Sequence, residues 1–296
     1  MSPLVEIRGA DVVFAGGVRV LRDVSSRFEA GDCVSVLGRN GSGKTTLLRL
    51  ITGNILPAAG SVLVADFTTE RHRRQIAELI GVSMYSERAF YYRLTVDQNL
   101  RYFQSLRNRF GANASRERAN LIERVGLTAH TRAKFMELSL GQRKRLGLAR
   151  ALIGDPPVVV LDEPFANLDD EGTAVVVDAL EQRRLDGLTT VFTTHEMADV
   201  RGVVNKVVTL ADGVAEITVP GIADGADRKP VRTVTVVGSR KLHFDPTTLS
   251  ARFATAVDGR KLAIEVPTEM KMSEVVGLVE ATGMAVEQVV DTPWLR

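Results

Sequence analysis

The segment Gly38-Arg39-Asn40-Gly41-Ser42-Gly43-Lys44-Thr45-Thr46 constrains this chain more than any other stretch. It matches the pattern G-x-x-x-x-G-K-[ST], and it sits between an apolar run at 33–37 and a helical pattern at 45–52 that stops at Gly53. A strand–loop–helix unit of this kind is a signature of α/β architecture. The composition suits one task. Closely spaced backbone N–H groups can wrap a polyphosphate, glycines let the backbone come close, and the following helix points its positive dipole end at the same charge. Lys44 would set a point charge on the β- and γ-phosphates of a nucleoside triphosphate, and the Thr45 hydroxyl would bind Mg²⁺. The candidate phosphate-binding set is therefore Gly38, Asn40, Gly41, Ser42, Gly43, Lys44, Thr45 and Thr46.

A second constellation lies about 120 residues on. The continuous apolar run Val158-Val159-Val160-Leu161 suits a strand buried on both faces of a parallel sheet, and it ends in Asp162-Glu163-Pro164. Carboxylates at the C-terminal end of such a strand open into the crevice where these sheets bind ligands. Asp162 is placed to hold Mg²⁺ through water, and Glu163 to orient and polarise an attacking water.

The rest of the chain supplies a frame for these two motifs. A strand–turn–strand opening runs through Val12, Val13 and Phe14 to the Gly16-Gly17 turn and on to Val24. Helical spacing of Leu94, Val96, Leu100, Tyr102, Phe103, Leu106 and Phe110, and a further helix over 116–125, read as a helical insertion at about 86–150. A helix over 173–184 and strands over 189–194 and 203–210 follow, the last closing at Asp212-Gly213. Residues 219–230, rich in Gly, Asp, Lys and Pro, read as a linker. Beyond it, strands over 231–237, 251–257 and 262–266, a helix over 270–281 and a strand over 285–290 make a small α/β domain, with Asp258-Gly259 as a hairpin turn. The expected division is 1–218, 219–230 and 231–296.

Composition narrows the function classes. A hydrophobic fraction of 45% is ordinary for a globular chain, and a net charge of +2 gives no reason to expect nucleic-acid binding. Cys33 is the single cysteine, so no intrachain disulfide forms, which fits a reducing compartment. No run approaches the roughly 18 apolar residues of a membrane span, and residues 1–9 lack a leader pattern. A soluble protein that reaches a membrane through a partner is expected.

Leu138-Ser139-Leu140-Gly141-Gln142, followed by Arg143-Lys144-Arg145, resembles the LSGGQ signature of the ABC ATPase family, and the resemblance extends over residues 4–215. It implies a P-loop NTPase core with a helical insertion, and ATP with Mg²⁺ as ligands. Ser139 and Gly141 would meet the γ-phosphate of ATP held by an opposing subunit, with Gln142 in the same nucleotide-binding set. Asn167-Leu168-Asp169 is similar to the D-loop, which puts Asp169 between the two nucleotide sites. His195, in Thr193-Thr194-His195-Glu196, is similar to the switch histidine that contacts the γ-phosphate, and Phe14 stands where the family stacks an aromatic ring on adenine. Glu163, His195 and Lys44 are thus the implied catalytic residues. Two positions depart from the family pattern. Leu140 replaces a glycine, and the Q-loop glutamine is replaced at Tyr85 or Ser86, with Glu87 beside them.

The same resemblance implies partners: a second nucleotide-binding subunit, identical or related, and a separate integral membrane permease on whose cytoplasmic face this chain would act. Phe90, Tyr91 and Tyr92 lie where the family receives a coupling helix from the permease, and these aromatics together with the C-terminal module resemble exporters of the ABC-2 type. An importer ATPase and a soluble ABC ATPase acting on DNA or ribosomes are the other readings. Against the last, the interval from Lys44 to Leu138 leaves no room for a long coiled-coil arm, and the chain carries one cassette.

Overall fold

The computed structural model describes residues 4–84, 89–194, 202–211, 213–218, 231–238, 255–258, 261–267, 275–276, 279 and 286–292. Contacts divide the chain into two compact units, 1–221 and 222–296.

The first unit is built on two sheets. β1 (Val5–Val13) and β2 (Arg19–Phe28) pair as an antiparallel hairpin, and β4 (Ala59–Val64) and β5 (Phe67–Thr68) extend it in the order β2-β1-β4-β5. β3 (Cys33–Gly38), β6 (Ile80–Ser83), β7 (Val158–Leu161), β8 (Thr189–Thr193) and β9 (Lys206–Ala211) form a parallel sheet in the order β9-β3-β8-β7-β6. Successive side chains of a strand face opposite ways. Val158 and Val160 therefore enter one core with α1 (Lys44–Ile51) and the antiparallel sheet, while Val159 and Leu161 enter a second core with the helices. β3 divides in the same way, with Val34 and Val36 in the first core and Cys33 in the second. Burial pushes the Cys33 thiol up to about 12, so it serves as a small apolar residue.

The sheet does not end where the sequence pattern closes it. β10 (Val214–Thr218) folds back antiparallel on β9, with Val214 opposite Ala211. Gly213 turns the chain at φ +79, so what reads as a terminus is the turn of an edge hairpin.

The helical region is α3 (Val96–Leu106), α4 (Gly111–Arg124) and α5 (Leu140–Ala151). Thr95 and Gln98 form a capping box that starts α3. α4 begins five residues earlier than its apolar pattern, because its first turns bury only the small Ala114 and carry no periodic signal. Val96, Leu100, Leu121, Ile122 and Leu146 pack into the second core. Leu106 and Phe110, which share the apolar spacing, are exposed instead. Phe90 stacks on Phe135 with ring centroids 4.9 Å apart. The Arg150 guanidinium lies 5.0 Å from the Phe90 and Phe103 ring centres and donates to the carbonyls of Val82 and Ala89. α5 is thereby bound to β6 and to the start of the helical region. α6 (Asp170–Leu185) follows β7 and starts three residues before its expected position because Asp169 caps it. Between α1 and α3 the chain also forms α2 (Arg73–Leu79), which buries Ile76 and runs straight into β6.

In the second unit, β11 (Val231–Gly238), β12 (Thr255–Asp258), β13 (Lys261–Pro267) and β14 (Val286–Thr292) form an antiparallel sheet in the order β12-β13-β11-β14. Asp258 pairs with Lys261, which closes the hairpin that Asp258-Gly259 signals. Val275 and Val279 are helical and buried. The expected linker, the start of the strand at 251 and most of the helix over 270–281 lie outside the described residues.

Candidate functional site

The glycine-rich loop leaves β3 at Gly38 and enters α1 at Lys44. Gly43 holds φ +104 at the helix start, and a Cβ there would lie 2.9 Å from the Leu21 side chain, so the turn needs glycine. The buried Lys44 side chain curls back over its own loop. Its Nζ donates to the carbonyls of Gly38 (2.8 Å) and Arg39 (3.2 Å). Ser42 Oγ is buried inside the loop without a hydrogen-bond partner among the described residues, a group a bound oxyanion would satisfy.

β7 brings its acids to the same place. The Thr45 hydroxyl donates to the Asp162 carboxylate, 3.1 Å to Oδ2 and 3.3 Å to Oδ1. Asp162 Oδ1 also accepts from the Thr193 hydroxyl at 2.7 Å. The Glu163 N–H donates to Thr193 Oγ1 at 2.8 Å, and Glu163 takes φ +49, an unusual backbone conformation for a side-chain-bearing residue. Val20, Asn40, Gly41, Gly43, Lys44, Thr45, Thr46, Asp162 and Glu163 line one open cavity of about 360 Å³. The structure therefore brings together the two motifs that the sequence separates by most of the helical region.

Thr193 is the residue that sequence reasoning passed over. It ends β8, the central strand beside β7, and its hydroxyl bridges the two acids. A threonine at the end of a strand neighbouring the acid-bearing strand was the available signal.

The signature residues sit apart from this cavity, at the N-terminus of α5. Ser139 caps the helix: its Oγ accepts from the Gln142 N–H at 3.2 Å, and Gln142 Oε1 accepts from the Ser139 N–H at 2.9 Å. Gln142 Nε2 donates to His130 Nε2 at 2.7 Å. Leu140 is 39% exposed, so the leucine that replaces glycine here is not a core residue. A Cβ on Gly141 would stand 3.2 Å from the Asn167 carbonyl, and α5 therefore approaches the 167–169 segment closely. Asp169 Oδ1 accepts from the Gly172 N–H at 2.8 Å and caps α6. Phe14 follows β1, is 42% exposed and does not line the cavity, which excludes a core role. His195, Tyr85, Ser86 and Glu87 lie outside the described residues.

A parallel α/β sheet that delivers a glycine loop, a lysine and two acids to one crevice defines a nucleoside-triphosphate-binding protein. A model of the ABC transporter family matches residues 21–166. The ABC transporter ATP-binding protein NatA of Bacillus subtilis (strain 168) is 33% identical over 199 residues, covering 66% of this chain and 80% of that protein. The methionine import ATP-binding protein MetN of Nocardia farcinica (strain IFM 10152) is 37% identical over 220 residues, 72% of this chain and 66% of that one. Among solved structures, the ATP-binding cassette MJ0796, a dimer in a post-hydrolysis state bound to ADP and Pi, has the same fold, with a TM-score of 0.66 and 23% identity over 73% of this chain and 98% of that one. The chain belongs to the ABC transporter ATP-binding family; it binds ATP and is an ATPase. No helix among the described residues is long and apolar enough to cross a membrane.

Proposed function

We propose that this chain is the ATP-hydrolysing motor of a transporter, closing on ATP against a second nucleotide-binding subunit and driving a separate permease at the cytoplasmic face of the membrane. The observation that carries this reading is the tie between Thr45 of the glycine loop and Asp162 of β7, formed beside Lys44 in one cavity.

The donor set suits Mg²⁺, which takes oxygen ligands and usually binds through one or two carboxylates plus substrate phosphates. Thr45 Oγ1 and Asp162 would hold it. When bound, Mg²⁺ neutralises charge on the β- and γ-phosphates. Lys44, held over the loop by two carbonyls, is released to the phosphates as they enter. The loop N–H groups and Ser42 Oγ bind the same oxygens. Glu163 lines the cavity and orients the attacking water, and Thr193 keeps both acids in place. His195 would complete the γ-phosphate contacts, and Phe14 would stack on adenine. Ser139, Gly141 and Gln142, with Asp169 behind them, would serve the nucleotide of the other subunit. The dimeric state of the MJ0796 cassette supports that arrangement.

We assign the transporter to the ABC-2 exporter type on the exposed rings of Tyr91 and Tyr92 and on the C-terminal antiparallel sheet. Phe90 is excluded from that surface, because it is buried against Phe135. An importer is the second reading, favoured by the similarity to MetN. Copurification of the membrane partner, followed by ATP-driven flux in inside-out vesicles, tests the assignment. Accumulation inside such vesicles supports export, and ATP-driven loss of preloaded cargo supports import.

A further inference from the structure

Glu163 holds a backbone conformation that most residues avoid, and its peptide groups are gripped from two sides. Its N–H donates to the Thr193 hydroxyl at the end of β8. Its carbonyl accepts from Lys144 Nζ at 2.8 Å. Lys144 belongs to α5, the helix that Ser139 caps, so the two ends of this grip come from the sheet and from the helical region. Backbone at φ near +50 is unfavourable for a residue with a side chain, and it persists where its surroundings over-determine it.

Lys144 is half-buried in a small cavity that it shares with Asp162, Glu163, Met84, Phe135 and Arg143. Burial lowers its pKa from the ordinary lysine value, while the nearby charges of Glu163 and Asp162 raise it. An ammonium placed at this desolvation cost is positioned against the acidic strand end rather than directed into solvent.

We propose that Lys144 is a positioning residue for hydrolysis, fixing the main chain of Glu163 so that its carboxylate faces the nucleotide cavity, and tying that carboxylate to the position of the signature helix. The inference rests on the reading of Glu163 as the water-polarising group. A shift of α5 relative to β7 pulls on the Glu163 carbonyl, rotates the peptide unit and turns the carboxylate. The state of the signature end, where the second subunit's nucleotide would bind, is thereby communicated through one side chain to the acid of this subunit's own site.

The test is a double-mutant cycle in the full-length chain, with steady-state and single-turnover ATP hydrolysis as readouts and thermal unfolding as a check on folding. Lys144→Met should lower kcat about 10- to 100-fold with KM for ATP changed less than about twofold, the pattern of an interaction that acts on the chemical step. Lys144→Arg, which can reach the same carbonyl, should recover kcat to within about fivefold of the unsubstituted chain. In a Glu163→Gln background, Lys144→Met should cost less than about a further twofold, because the group it positions is already inactive. If Met does not fold, Lys144→Gln, too short to reach the carbonyl, replaces it in the cycle. The proposal is overturned if Lys144→Met leaves kcat unchanged, if it costs the same factor in both backgrounds, or if Arg fails to recover activity in a folded protein. If Glu163→Gln itself hydrolyses normally, the role of Glu163 is what fails, a result distinct from these.

Discussion

The cavity beneath α1 and the N-terminus of α5 both present groups suited to phosphate, but they present them differently. In the cavity, one chain supplies the glycine loop, Lys44, Thr45 and two acids, and these residues bond to one another: Lys44 to the Gly38 and Arg39 carbonyls, Thr45 and Thr193 to Asp162. At α5, Ser139 caps its own helix, Leu140 projects outward and Gly141 lies against Asn167, and none of them lines the cavity that holds the acid pair and Lys44. On the proposed reading the first region is a site in itself. The second is a helix end with its dipole directed outward, and it would become useful when another molecule carries phosphate to it.

Substitutions should therefore separate by region. The largest effect belongs to Glu163→Gln, which should lower kcat by about 10²- to 10⁴-fold with ATP affinity retained, measured by single-turnover hydrolysis and equilibrium ATP binding. Lys44→Ala should weaken ATP binding itself by about 10- to 100-fold in a fluorescent-nucleotide titration, the loss of charge-assisted hydrogen bonds to phosphate. Gly141→Ala should behave oppositely. It pushes α5 away from Asn167, so turnover should fall about 10-fold while ATP affinity of the isolated subunit stays within about twofold. Thr193→Val should slow hydrolysis about 3- to 10-fold, because it removes the bridge between the two acids without touching the loop. Leu140→Gly should do least. The side chain is exposed, so turnover should change by no more than about threefold and stability by about 1 kcal/mol or less in a melting experiment. A Gly141→Ala variant that lost ATP affinity as Lys44→Ala does would erase the distinction between the regions.

The sequence carried the cavity well because its chemistry is local. The loop is contiguous, and the acids follow an apolar run whose burial on both faces needs no knowledge of neighbours. Thr193 and Lys144 were not legible in the same way. Their roles depend on β8 lying beside β7 and on the direction in which α5 projects its second turn, which are facts of register and packing. The stretch from 54 to 84 was silent for a related reason. β4 begins Ala59-Gly60, α2 is a seven-residue helix with Ile76 as its buried anchor, and no turn residue separates Leu79 from Ile80 at the start of β6. Short elements with one or two apolar contacts are held by the sheet they join, and periodicity does not reveal them.

The claim on which the rest depends is that a complete hydrolytic site takes its glycine loop from one subunit and its signature from another. Lys44→Ala destroys the first contribution and leaves the second; Ser139→Arg blocks the second and leaves the first. Each variant alone should be strongly impaired at an ATP concentration that saturates the unsubstituted chain, and mixing the two should restore ATP hydrolysis, because the mixed dimer contains one site with both halves intact. Full activity of Ser139→Arg alone, or no recovery on mixing two folded variants that associate, would contradict it.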